Sequence, residues 1–91
     1  MIESVKTLES QAALQLLRRV TMSELRALLA IKSAGTLTRA AVVLQVSQPA
    51  LSQQLREIEN KLGMALFVRH RRGLEPTPVG RVMLRLAAAM G

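Results

Sequence analysis

The chain has 91 residues and sets 13 Lys and Arg against six acidic residues, all of them Glu, for a formal net charge of +7. That length suggests one small domain with a modest core. Phe67 is the only aromatic residue, so Leu, Ala, Val, Ile and Met must do the packing, as in helix-on-helix cores. The absence of cysteine excludes disulfides and thiolate-bound metals, and a lone His70 cannot build a metal site, so no metal or cofactor is expected. The basic balance favours an anionic partner, either nucleic acid or an acidic membrane surface. The excess sits mainly late in the chain, in Arg69, Arg71, Arg72, Arg81 and Arg85. No stretch approaches the roughly 18 uninterrupted apolar residues of a membrane span. Glu3, Lys6 and Glu9 break any apolar run of a signal peptide, which points to the cytoplasm.

Residues 3–19 have a helical composition. Val5, Leu8, Ala12, Leu16 and Arg19 approximate one face, widened by Ala13, Leu14 and Leu17. This extension either docks on the domain or a partner chain, or frays ahead of it; Met22 is an alternative start. Thr21 and Glu24 have the spacing of a capping box, and Leu25, Leu28, Leu29 and Ile31 follow toward a core. Gly35 should end that helix in the left-handed conformation.

Thr36 is the next N-cap candidate, ahead of a short helix from Leu37 to Leu44. Leu37, Ala40, Ala41 and Leu44 fall at i, i+3, i+4 and i+7, and the two alanines admit a close neighbouring helix. Val46 is apolar and is expected to plug the turn into the core. Ser47 caps the helix that organises the rest, with Pro49 tolerated in its first turn. Leu51, Leu55, Ile58 and Leu62 form its apolar stripe, and Gly63 ends it. Pro49, Ser52, Gln53, Arg56 and Asn60 point to the other side. Amides and hydroxyls beside one Arg suit a surface that carries its own donors and acceptors. A short helix, a tight turn and a longer capped helix make a helix-turn-helix.

Met64–Val68 and Leu74–Pro76 read as two very short strands around a basic turn at Arg69-His70-Arg71-Arg72-Gly73, a small wing whose second strand Pro76 confines to an edge. Three arginines in four positions suit phosphate or minor-groove contact. Thr77 and Pro78 open the last helix as N-cap and first residue. Val79, Val82, Met83, Leu86, Ala87 and Met90 line one side of it, more apolar surface than a three-helix core needs. Pairing with a second copy would bury that surface; the alternative is that it folds back on the 21–34 helix.

Thr38-Arg39-Ala40-Ala41, Leu44-Gln45-Val46-Ser47-Gln48-Pro49-Ala50-Leu51-Ser52, Glu59, Leu62-Gly63, Leu66-Phe67, Arg69 and Thr77-Pro78-Val79-Gly80 resemble the N-terminal DNA-binding domain of LysR-type bacterial transcriptional regulators. The resemblance runs from about Val20 to Met90 without an insertion. It implies a mainly α fold: a winged helix-turn-helix with a two-stranded wing and a C-terminal linker helix. On this reading residues 1–19 are an extension, 20–77 the winged helix-turn-helix (its core at 37–56), and 78–91 the start of the linker helix. The effector-binding domain that follows in such regulators is not among these residues, so a small-molecule effector would act only through it.

The resemblance implies that Gln48, Pro49, Ser52 and Gln53 meet the major groove, that Thr38, Arg39 and Ser47 lie near the backbone, and that Arg71 and Arg72 lie in the wing. Arg39, Arg56, Arg69, Arg71 and Arg72 would neutralise phosphates, with Arg81 as a further candidate. Gln53 stands where many members have Arg or Lys, which replaces a cation by an amide suited to adenine. The implied partner is double-stranded DNA carrying an inverted repeat, bound by a homodimer joined through Val79, Val82, Met83, Leu86 and Met90. The working place would then be the cytoplasm, on the nucleoid when bound. A protein-interaction or dimerisation module without specific DNA binding is the alternative. Nothing suggests an enzyme: there is no Asp, no nucleophile-plus-base pair and no phosphate-binding Gly loop.

Overall fold

The computed structural model describes the backbone of residues 2–90 and the side chains of residues 8–89. Its elements run α1 (Ile2–Arg18), α2 (Met22–Ala34), α3 (Leu37–Leu44), α4 (Gln48–Leu62), β1 (Phe67–His70), β2 (Gly73–Pro76) and α5 (Pro78–Met90). Helix α2 packs on α3 and α4, the two-stranded sheet leans on α2 and α5, and α1 lies along α5. The architecture is a winged helix-turn-helix with a helix added at its N-terminus.

Each helix start follows from local chemistry. The Thr21 hydroxyl accepts from the Glu24 N–H, while the Glu24 carboxylate accepts from the Thr21 N–H, a complete capping box. Thr36 caps α3 through the Arg39 N–H, and Ser47 caps α4 through the Ala50 N–H. The Thr77 hydroxyl accepts from the Gly80 N–H and itself donates to the Ala65 carbonyl, so one side chain caps α5 and ties it to the approach to β1. Gly35 and Gly63 close α2 and α4 in the left-handed region, as the sequence anticipates.

The core is apolar throughout the described residues: Leu28, Ile31, Leu51, Ile58, Leu66, Met83 and Leu84 are fully buried, and no polar side chain joins them. Ala40 and Ala41 are buried where α3 meets its neighbours, the close approach their size permits. Val46 departs from expectation. It is 45% exposed and plugs nothing. The turn is held by backbone instead: Gln45 takes a left-handed conformation (φ 59°), its N–H returns to the Val42 carbonyl, and the Val46 N–H returns to Ala41.

The extension is a docked helix whose inner face runs along the residues expected to widen the face rather than along its expected centre, of which the Val5 side chain lies outside the described residues. Ala13 and Leu17 are buried, Leu14 and Leu16 are half-buried, and Leu8 and Ala12 face outward. Part of the expected pairing face of α5 is covered within one chain. Met83 is 0% exposed within one chain, because α1 covers the side of α5 that the sequence left bare. Val79, Val82 and Leu86 are half-buried beside it. The Met90 side chain lies outside the described residues.

Candidate nucleic-acid interface

Helix α4 buries Leu51, Leu55, Ile58 and Leu62 and turns Pro49, Gln53, Arg56 and Asn60 to the surface, with Ser52 half-buried at the margin. A single 3.6-residue repeat thus produces both the core stripe and a polar outer face. Two outer side chains are already engaged. The Gln53 amide donates to the Glu57 carboxylate at 3.0 Å, and its carbonyl oxygen accepts from the Arg56 guanidinium at 3.1 Å. Glu57 is the residue that sequence reasoning missed, although its i+4 spacing from Gln53 signals the contact.

The wing is an antiparallel pair with Phe67 opposite Pro76, Val68 opposite Glu75, Arg69 opposite Leu74 and His70 opposite Gly73. The first strand is shifted toward the tip relative to the expected Met64–Val68: Met64–Leu66 are not strand, Arg69 and His70 belong to β1, and only Arg71 and Arg72 form the turn. His70 Nδ1 accepts from the Arg72 N–H at 3.2 Å, which closes that turn, and His70 Nε2 lies 3.7 Å from the Glu75 carboxylate.

Three contacts fix the wing relative to the helices. Glu59 of α4 accepts from the Leu66 and Phe67 N–H groups, at 2.6 and 3.2 Å. The Thr77 N–H donates to the Leu66 carbonyl at 2.9 Å. The Leu74 N–H donates to the Gly35 carbonyl at 2.8 Å, across to the α2–α3 turn.

Between the wing and the helix starts lies a cleft of about 290 Å³ lined by Thr36, Leu37, Thr38, Gln48 and residues 69–74. It therefore brings together Thr38, Gln48, Arg69, Arg71 and Arg72 from the expected set, and adds Thr36 and His70. Pro49, Ser52, Gln53 and Arg56 are not in that cleft; they continue along α4. Arg39 is exposed on α3, and Ser47 spends its hydroxyl on the cap. Among the described residues, the ion pairs are Lys61 with Glu24 and the His70–Glu75 contact, so no carboxylate neutralises Arg39, Arg69, Arg71 or Arg72. Arg81 is set apart: its guanidinium points to the Pro76 carbonyl, and it lines a second cleft between α1 and α5.

This geometry has close counterparts. Residues 22–81 match the model of the bacterial regulatory helix-turn-helix protein, lysR family. The chain belongs to the LysR family. Its winged helix-turn-helix is the DNA-binding domain of a LysR-type regulator. It is 58% identical over 60 residues to the small neutral protease regulatory protein of Streptomyces coelicolor, covering 66% of this chain and 18% of that protein. It is 43% identical over 68 residues to the transcriptional regulator MetR of Salmonella typhimurium, covering 75% of this chain and 22% of that one. The LysR chain thus spans about a fifth of the length of the curated relatives it matches. Among solved structures, the CbnR DNA-binding domain in complex with DNA superposes with a TM-score of 0.71 at 34% identity, over 78% of this chain and 82% of that one. The BenM DNA-binding domain in complex with catB site 1 DNA gives 0.73 at 31% identity, over 78% and 76%. The family match begins at Met22, so α1 precedes the shared module.

Proposed function

We propose that this LysR-family domain binds double-stranded DNA sequence-specifically, with α4 in the major groove and the 69–73 wing on the backbone and minor groove. The observation that carries this reading is the continuity of two surfaces. The hydrogen-bonding outer face of α4, on which Arg56 and Glu57 flank Gln53, adjoins a cleft rimmed by Arg69, Arg71 and Arg72. Cations there neutralise phosphates and set orientation, while Gln48 and Gln53 offer paired donors and acceptors to base edges. Ser52 and the apolar ring of Pro49 fit the groove floor or a thymine methyl. Thr38, Arg39, Ser47 and Arg56 stand at the backbone. The likeness to domains solved as DNA complexes supports DNA as the partner.

One domain of this size discriminates weakly, since a good bidentate base contact contributes about 1–3 kcal/mol of discrimination. Two copies paired through α5, at Val79, Val82 and Leu86 with Met83 behind them, would read an inverted repeat with half-sites about one helical turn apart. In the whole regulator, a domain beyond these residues would sense a small molecule, and the protein would act as a cytoplasmic transcription factor rather than an enzyme. Selection from random duplexes at fixed salt tests the reading. Enrichment of a motif with two inverted half-sites is expected. No enrichment, together with no retardation of any duplex at low salt, would sink it and favour a protein-interaction module.

A further inference from the structure

We propose that α1 is an intramolecular cap on α5: in a single chain it takes the face through which two α5 helices would pair, and so sets how much of the protein can dimerise. The proposal rests on α5 being the pairing helix. Ala13 and Leu17 stand at i and i+4, one stripe of α1, and lie in the same buried cluster as Met83, Leu84 and Ala87 of α5. Met83 and Leu84 have no exposed surface in the single chain. A second copy therefore cannot reach them while α1 is in place.

The rest of α1 fits a cap. Among the described residues of α1, Gln11, Ala12, Gln15 and Arg18 face solvent, and the buried side lies against α5. The corner after α1 is fastened, because the Arg19 guanidinium donates to the Lys61 carbonyl at the end of α4 (2.8 Å). Release is also within reach. The contact buries only one Leu and one Ala of α1, with Leu14 and Leu16 at its edge, and since most helical stability comes from tertiary packing, α1 owes its order to docking. The flank of the contact remains open as a cleft of about 540 Å³ lined by Glu9 and Ala12 of α1 and by Val79, Val82 and Arg85 of α5.

Sedimentation equilibrium without DNA tests this on the full 91-residue chain. Ala13→Glu puts a charge into the α1–α5 contact and should release α1. If the released form is about a tenth of native molecules, both partners of a dimer carry that factor, and the variant should dimerise about a hundredfold more tightly than the native chain. Glu9→Cys with Arg85→Cys, joined by a short bismaleimide in a chain otherwise free of cysteine, should lock α1 down and keep the protein monomeric at every concentration. The locked chain tests the cap even if Ala13→Glu fails to fold. A locked chain that dimerises like the native one overturns the cap. So does a folded Ala13→Glu chain that stays as monomeric as the native one with α1 amides still protected from exchange. If those amides exchange freely and the chain is still a monomer, or if its dimer survives an added Val82→Glu, then α5 is not the pairing helix and the underlying reading fails instead.

Discussion

Gln53 already holds two partners in the free chain, and on the proposed reading that changes what it would contribute to DNA binding. To meet a base edge its amide must give up Glu57 or Arg56, so a new hydrogen bond replaces an old one rather than adding to it. A typical intramolecular hydrogen bond is worth only about 0.5–1.5 kcal/mol net, and this exchange leaves less than that. Gln48 sits differently, half-buried on the rim of the wing cleft. Gln48→Ala is expected to lose about 1–3 kcal/mol of discrimination between operator and scrambled duplex. Its salt dependence should hold. Arg71→Ala should weaken binding to both duplexes alike and lower the slope of log affinity against log salt by about one. Titrating both variants on both duplexes at several salt concentrations checks this; equal losses on the two duplexes for Gln48→Ala would remove it from base reading.

Among the elements, the wing depends on α4 through one carboxylate. Glu59 accepts the Leu66 and Phe67 N–H groups, which would otherwise stand part-buried without partners. Glu59→Ala is expected to destabilise the fold by about 1–3 kcal/mol, the cost of leaving such donors unmade, and to weaken DNA binding by loosening the wing. Thermal melts and hydrogen exchange at Leu66 and Phe67 would measure it; unchanged protection there would refute the link. The contact also marks where the sequence stops being legible. Capping residues, glycine stops and the 3.6-residue stripes act within a few positions, so α2, α3, α4 and the start of α5 could be placed from Thr21, Thr36, Ser47 and Thr77 alone. The face of α1 could not. Leu8–Ala12–Leu16 and Ala13–Leu17 are both apolar rows, and only the shape of α5 selects the second. Val46 misled for a related reason: hydrophobicity suggests burial, but a left-handed Gln45 turns the chain before Val46 reaches the core. In the site, the cations and Gln48 were legible as types, whereas the roles of Glu57 and Glu59 needed the folded contacts.

At the scale of the molecule, the start of α2 and the end of α4 are clasped together by Glu24 and Lys61. The hydrogen bond from the Lys61 ammonium, and then the one from the Thr21 N–H, hold the Glu24 carboxyl below its ordinary 4.5. A lowered folded-state pKa contributes stability that is present in full above the unfolded value and disappears as pH falls through the folded one. The native chain should therefore lose melting temperature on acidification below about 4.5 more steeply than Glu24→Gln, and the gap between them at neutral pH should narrow. Parallel curves would show that the clasp carries no pH-dependent stability. The wing is joined to this body just as firmly. Gly73 passes so near the Gly35 carbonyl that a methyl group there would overlap it, and the neighbouring Leu74 N–H bonds to that same carbonyl. The hairpin is thus clamped at its last pair before the turn, His70 with Gly73, and its two-residue tip, Arg71-Arg72, projects beyond that clamp. The protein is built like a calliper with one fixed jaw. Bound as proposed, it would gauge the width between adjacent grooves as well as read letters, and lengthening the tip would reset that gauge without disturbing the clamp.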